Sequence, residues 1–179
     1  MEGELTSDSN SISACISHFY KQFYSKNEGQ RPVLDEVEFS MISEEEAAWL
    51  DRPFEEEEEY GVIQGCNGDK SPGLDGLSMA FFKACWDFLK LEIMEVLANF
   101  HSQVVFEKSL NATFIALIPK KVDDANVRDF RPISLVGSIY KVISKLLANR
   151  LRRVITGIIS ESQNAFVLNR QILDSALIT

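Results

Sequence analysis

The 179-residue chain has few of the residues that staple or metallate small proteins. Its three cysteines, Cys15, Cys66 and Cys85, are odd in number and far apart, so no disulfide framework is expected. Two histidines, His18 and His101, cannot build a His-rich metal site. No run approaches the roughly 20 apolar residues that span a bilayer. The first residues, Met1-Glu2-Gly3-Glu4, are acidic where a secretory signal would be basic and then apolar. A nucleophile elbow of the G-x-S-x-G type is missing, and no Cys-His pair suggests itself for acyl transfer. No internal repeat is visible. Together these absences predict an intracellular, soluble chain without metal-thiolate chemistry and without a membrane partner; nucleus and cytoplasm are not distinguished.

What is present is enough apolar residue for a core: 45% hydrophobic against 25% charged, in a length that makes one domain or one domain with an appendage. The net charge of −9 hides an asymmetry. Residues 1–69 hold 17 acids and 4 bases, residues 70–179 hold 10 acids and 14 bases. Nine bases lie within 119–153, against three acids. Such a block can attract phosphate even in an acidic chain, and Lys141, Lys145 and Arg152 are its candidates for a nucleic-acid backbone. The plain alternative is a solvated helix face and a charged loop.

Periodicity predicts a mainly helical α+β fold. Ser7 or Asp8 caps a first helix bearing Ile12, Ile16, Phe19 and Phe23 at helical spacing. Residues 37–42 alternate weakly, as a short extended piece would. Ser43 ahead of Glu44, Glu45 and Glu46 reads as a capped start, and Pro53 opens a further helix with Glu55 to Glu59 in its early turns. That Glu run could suggest divalent metal, but successive residues point around a helix, so a solvated start is the expectation. Ser78 caps a helix with Phe81, Phe82, Cys85, Trp86 and Leu89, and Ile93, Val96, Leu97, Phe100 and Val104 form another core stripe. Residues 114–118 read as a buried strand ended by Pro119, and 131–135 as a second strand. Ser138 is expected to cap the longest helix, with Ile139, Val142, Ile143, Leu146, Leu147, Leu151, Val154 and Ile155 on its apolar side. A further short apolar piece at 165–167 precedes a helix starting near Arg170.

Glycine and proline crowd 65–76, Gly-Cys-Asn-Gly-Asp-Lys-Ser-Pro-Gly-Leu-Asp-Gly, which predicts a structured loop. Its spacing does not fit a phosphate loop, and no apolar strand precedes it, so an NTPase is excluded. Asp123-Asp124 is the one adjacent acidic pair outside the Glu-rich region and reads as solvated loop. Lys120 and Arg131 fall at strand ends flanking that loop, where two cations could clamp a triphosphate.

Several blocks carry a resemblance. Lys70-Ser71-Pro72-Gly73-Leu74-Asp75-Gly76, Phe81-Phe82-Lys83 with Trp86, and Leu117-Ile118-Pro119-Lys120 follow in that order. After them come Asp129-Phe130-Arg131-Pro132-Ile133-Ser134-Leu135, Tyr140 to Lys145 with Leu147-Ala148-Asn149-Arg150-Leu151, Ser162 to Val167, and Arg170-Gln171-Ile172. In order and spacing they resemble the reverse transcriptases of non-LTR (LINE-type) retrotransposons, of plant-like type, strongly over about 62–179. The resemblance implies a truncated right-hand polymerase: an acidic helical extension at 1–61, a helical lead-in at 62–110, and fingers with the start of the palm at 111–179. It implies that Lys120 and Arg131 contact the phosphates of an incoming dNTP, and that Gln163, Ala165 and Phe166 shape the nucleotide and template pocket. The implied partners are an RNA template, a DNA primer and dNTP. The family's two catalytic aspartate patterns do not occur in these 179 residues, so no cofactor is expected here and Mg2+ only in the full-length family enzyme. This chain alone is therefore expected to be inactive. A nucleic-acid-binding or purely structural helical fragment that self-associates through exposed apolar faces is the alternative. Departures from the family pattern are Leu74, Leu77, Leu91 and Leu168-Asn169; loss of a glycine at 169 bears on a turn that wants positive φ, and loss of a proline at 91 could let the helices around 80 and 95 run together.

Overall fold

The computed structural model describes residues 5–25, 40–103, 105–122, 124–160, 163, 167 and 169–171. It is mainly helical with one two-stranded sheet: α1 (Ser9–Phe23), α2 (Glu44–Leu50), α3 (Glu56–Gly65), α4 (Met79–Ala84), α5 (Trp86–Gln103), β1 (Thr113–Pro119), β2 (Phe130–Val136) and α6 (Ser138–Ile158). The chain divides into two compact units. Residues 1–37 and 115–134 form one, residues 38–114 and 135–179 the other. These units cut across the segments 1–61, 62–110 and 111–179 expected from the sequence, because α2 and α3 pack on α6.

In the larger unit the core is a single cluster: Val62 and Ile63 from α3, Met79 and Phe82 from α4, Trp86, Ile93 and Leu97 from α5, and Val142, Ile143 and Leu146 from α6. All are nearly removed from solvent, each contributing roughly 1.5–3 kcal/mol of apolar burial. Ser43 makes the capping box with Glu46, and Ser78 caps α4 through the Phe81 amide, both as their spacing predicts. The α3 helix starts at Glu56, three residues beyond Pro53. The α4 and α5 segments do not run together, since Cys85 (φ −103°, ψ 16°) leaves helical geometry between them; Leu91 nevertheless sits inside α5, 70% exposed. No extended piece forms at 40–42, and 37–39 lie outside the described residues.

The Gly-rich loop explains how α6 begins. Ser138 is not the cap but the first helical residue and is fully buried; Gly137 stands at the cap position and has no side chain to offer. Asp75 supplies the missing acceptor, its Oδ2 taking a 2.6 Å hydrogen bond from the Ser138 amide while Oδ1 accepts from the Leu77 amide at 3.2 Å. The Ser138 hydroxyl donates to the Leu77 carbonyl at 2.7 Å, and Lys141 Nζ to the Ser71 carbonyl at 3.0 Å. A carboxylate at a helix N-terminus also suits the dipole. Gly73 lies so close to the Val136 carbonyl and the Gly137 amide that a Cβ would overlap them, and Gly76 takes φ +68°, which only glycine adopts cheaply. The loop is thus a latch for the longest helix.

In the smaller unit, β1 and β2 pair as a hairpin closed by the Lys120 amide on the Asp129 carbonyl at 2.9 Å. The apolar run of β1 is not buried as expected: Phe114, Ile115 and Ile118 are 56%, 39% and 49% exposed, because a two-stranded ribbon leaves its faces open. Helix α1 is capped by Asp8, which accepts from the Ser11 amide at 2.8 Å. Its inward residue is Tyr20 rather than the expected stripe, for Ile12 and Phe23 are exposed.

Candidate nucleotide and nucleic-acid site

The hairpin brings two of the expected phosphate ligands to one place. Lys120 directly follows β1 and Arg131 is the second residue of β2, and both line a cavity of about 490 Å³. Phe19, Tyr20, Phe23, Val127, Arg128, Phe130 and Pro132 complete its wall, which is largely apolar and, among the described residues, carries three cations and no carboxylate. Lys120 Nζ donates to the Arg128 carbonyl at 2.6 Å, which fixes the ammonium and leaves two of its three protons for a ligand. Arg131 is exposed. Asp124 has a structural task, its Oδ2 accepting from the Lys121 amide at 2.7 Å; Asp123 lies outside the described residues.

The remaining expected site residues belong to the larger unit. Lys141 is half-buried and engaged by the Gly-rich loop, whereas Lys145 and Arg152 are exposed on α6. The Gln163 amide donates to the Ser160 carbonyl at 3.0 Å, and the Gln163 carbonyl accepts from Arg170 Nη1 at 3.0 Å. Arg170 also reaches the Ser160 carbonyl at 2.6 Å and the Thr156 carbonyl at 3.4 Å, so it caps the end of α6. Asn169, where the family pattern has glycine, takes φ +62°, the left-handed region that asparagine tolerates best after glycine. Ala165 and Phe166, and the helix expected beyond Arg170, lie outside the described residues.

Two readings of charge change in the larger unit. Arg150, one of the nine bases of 119–153, is 3% exposed and is no part of a basic surface. Its guanidinium uses all its donors: Nε and Nη2 grip the two Glu58 carboxylate oxygens at 2.9 and 2.8 Å, Nη1 binds the carbonyls of Leu50 and Arg52, and Nη2 also binds that of Pro53 at 2.9 Å. It lies 4.3 Å from the Phe54 ring centroid, and Arg153 lies equally close to that of Trp49. Correspondingly, the Glu run at 55–59 is not simply a solvated helix start. Glu58 is held below the usual carboxylate range by its hydrogen bonds to Arg150. Glu59 is 1% exposed with Oε2 unpartnered, and burial, reinforced by Glu58 and Glu56, pushes its carboxyl up to about 7. Sequence reasoning missed Asp75, Arg150 and Glu58, because each works through a partner dozens of residues away, and Glu59, because its burial is set by packing rather than by its place in the Glu run.

Among the described residues no three or more His, Cys, Asp or Glu are grouped to hold a metal ion, and no helix is long and apolar enough to cross a membrane. No family model matches the chain. It is 27% identical over 179 residues, 99% of this chain, to a Xenopus laevis protein described as "Transposon TX1 uncharacterized 149 kDa protein". The chain spans 14% of that relative's length. Through all its elements it is similar to a protein encoded by a transposon.

Proposed function

We propose that this chain is a fragment of a LINE-type retrotransposon reverse transcriptase, comprising fingers and the start of the palm, in which Lys120 and Arg131 hold the triphosphate of an incoming dNTP. The observation that carries the reading is the convergence of these two cations on one cavity of the hairpin. Similarity to a transposon-encoded protein over nearly the whole chain supports it. So does the latch: Lys70 to Gly76, the most distinctive block of the resemblance, has a physical task in positioning α6. Charge-assisted bonds from a lysine and an arginine suit phosphoryl oxygens. Gln163, held by Arg170, belongs in this reading to the nucleotide and template pocket, with Ala165 and Phe166. Lys145 and Arg152 offer exposed charge to a nucleic-acid backbone, and Lys141 does so less, being engaged with Ser71.

Within these 179 residues there are no aspartate motifs to hold two Mg2+ ions, and phosphoryl transfer needs carboxylates fixed about the metals. The chain alone therefore binds nucleotide without polymerising it. Incubation with an RNA template, a DNA primer, Mg2+ and dNTPs should yield no extension product; extension that disappears on Lys120→Ala would overturn the assignment of inactivity.

A further inference from the structure

We propose that the groove between α3 and the α4–α5 junction is a docking site for a basic peptide segment of a partner protein. The groove has a volume of about 750 Å³. Glu57, Tyr60 and Gln64 line one wall; they are the i, i+3 and i+7 positions of α3 and so share one face of that helix. Lys83 of α4, with Trp86 and Asp87 at the start of α5, lines the other wall. No lining residue is shared with the cavity of Lys120 and Arg131.

Two observations select the occupant. The first is charge: the lining carries the carboxylates of Glu55, Glu56, Glu57 and Asp87 against the single ammonium of Lys83. Glu55 is ion-paired with Arg52 at 2.7 Å and Glu56 with Lys90 at 3.0 Å, whereas Glu57 and Asp87 are exposed and have no ion-pair partner among the described residues. The groove therefore repels phosphate and attracts a cationic side chain. Tyr60, 45% exposed and 5.5 Å from the Trp86 ring, offers a face to an arginine. The second observation is an unused donor. Trp86 is 7% exposed, yet its indole N–H meets no acceptor among the described residues, where a buried indole normally finds one. That N–H is not sealed from solvent, and the groove is the cavity that Trp86 lines. A polyamine or a simple cation has no acceptor to give it. A peptide has a carbonyl at every residue, so a segment bearing Lys or Arg satisfies the carboxylates and the indole together. The Gln64 amide and Lys83 supply further donors to such carbonyls.

The test is fluorescence anisotropy of the whole 179-residue chain with a fluorescein-labelled peptide of alternating arginine and alanine, roughly ten residues long. Saturable binding is expected, weakening as salt rises. Glu57→Gln/Asp87→Asn should weaken it about tenfold with an unchanged melting curve, since both side chains are exposed. Glu44→Gln/Glu45→Gln removes the same charge from α2 and should leave the affinity as it was. Spermine, cationic but without carbonyls, should displace the labelled peptide about tenfold less well than unlabelled peptide does. No binding by the wild type, an equal loss in the two double variants, or equal displacement by spermine would overturn the proposal, the last two by reducing the groove to a general attraction for counter-ions. Because nucleotide binding uses none of these residues, either reading can fail without the other.

Discussion

Replacing Arg150 with methionine should be among the most damaging single changes in the larger unit. Methionine approximates the length of the side chain and keeps an apolar contact with Phe54, so the loss is one of polar partners rather than of volume. Five N–H donors meet the two Glu58 oxygens and the carbonyls of Leu50, Arg52 and Pro53. Without them Glu58 keeps Arg52, at 3.4 Å, as its one cation among the described residues, and the α2–α3 connection loses the hydrogen bonds that fasten it to α6, leaving Arg153 over Trp49. Removing one partner of a buried ion pair costs about 3–5 kcal/mol. For a chain of this size each kcal/mol lowers Tm by about 2–4 °C, so a fall of about 6–20 °C is expected by circular dichroism. Arg150→Lys should recover only a minor part, because an ammonium cannot copy the bidentate fork or reach three carbonyls. A double-mutant cycle with Glu58→Met isolates the pair: the double variant should cost less than the two single changes together by about 1–3 kcal/mol. A Tm change under about 2 °C for Arg150→Met, or strict additivity with Glu58→Met, would refute the reasoning.

Further outcomes follow from the same packing. Gly73→Ala should cost about 1–3 kcal/mol by overlap with the backbone at 136–137, and Asp75→Ala about 1 kcal/mol by loss of the α6 cap, both read from urea midpoints. Glu59 and Glu58 give opposite pH limbs. Glu59 titrates near 7 in the fold but near 4.5 unfolded, so the folded state holds the extra proton and stability falls as pH rises from 4.5 through about 7. The limb amounts to about 3 kcal/mol at most and should vanish in Glu59→Gln. Glu58 is depressed, so its contribution is present above 4.5 and lost as pH falls. Urea midpoints for wild type and Glu59→Gln at several pH values check both signs; a wild-type midpoint that does not fall between pH 5 and 8 would contradict the buried-acid reading.

Local signals carried much of the fold. Asp8, Ser43 and Ser78 cap the helices their positions predict, since a cap is read within one turn of chain. Of the apolar stripe expected on α6, Val142, Ile143, Leu146 and Val154 are buried as the spacing promised, whereas Leu147 and Leu151 are 45% and 47% exposed, because the stripe drawn was wider than the face the core covers. What escaped was long-range. Ser138 looks like a cap by sequence, yet Asp75, 63 residues earlier, does the capping. Arg150 counts as a surface cation until Glu58, 92 residues earlier, is seen to bury it. The five glutamates at 55–59 look equivalent on paper, but a helix turns each 100° from the last, which sends Glu59 inward with Val62 and Ile63 and leaves Glu57 outside. The apolar run at 114–118 gave the right strand and the wrong burial, because its composition says nothing of how many layers cover it. Of the candidate site, Lys120 and Arg131 were legible from their places at strand ends. The α1 wall of their cavity was not, since helical spacing alone reads Phe19 and Phe23 as core.

The central claim is tested most directly by titrating a fluorescent dATP analogue into the wild-type chain and into Lys120→Ala, Arg131→Ala and Lys145→Ala variants. The account predicts saturable binding, weakened about tenfold by each of the first two changes and little altered by the third. Absence of binding, or an equal response to all three substitutions, would contradict it.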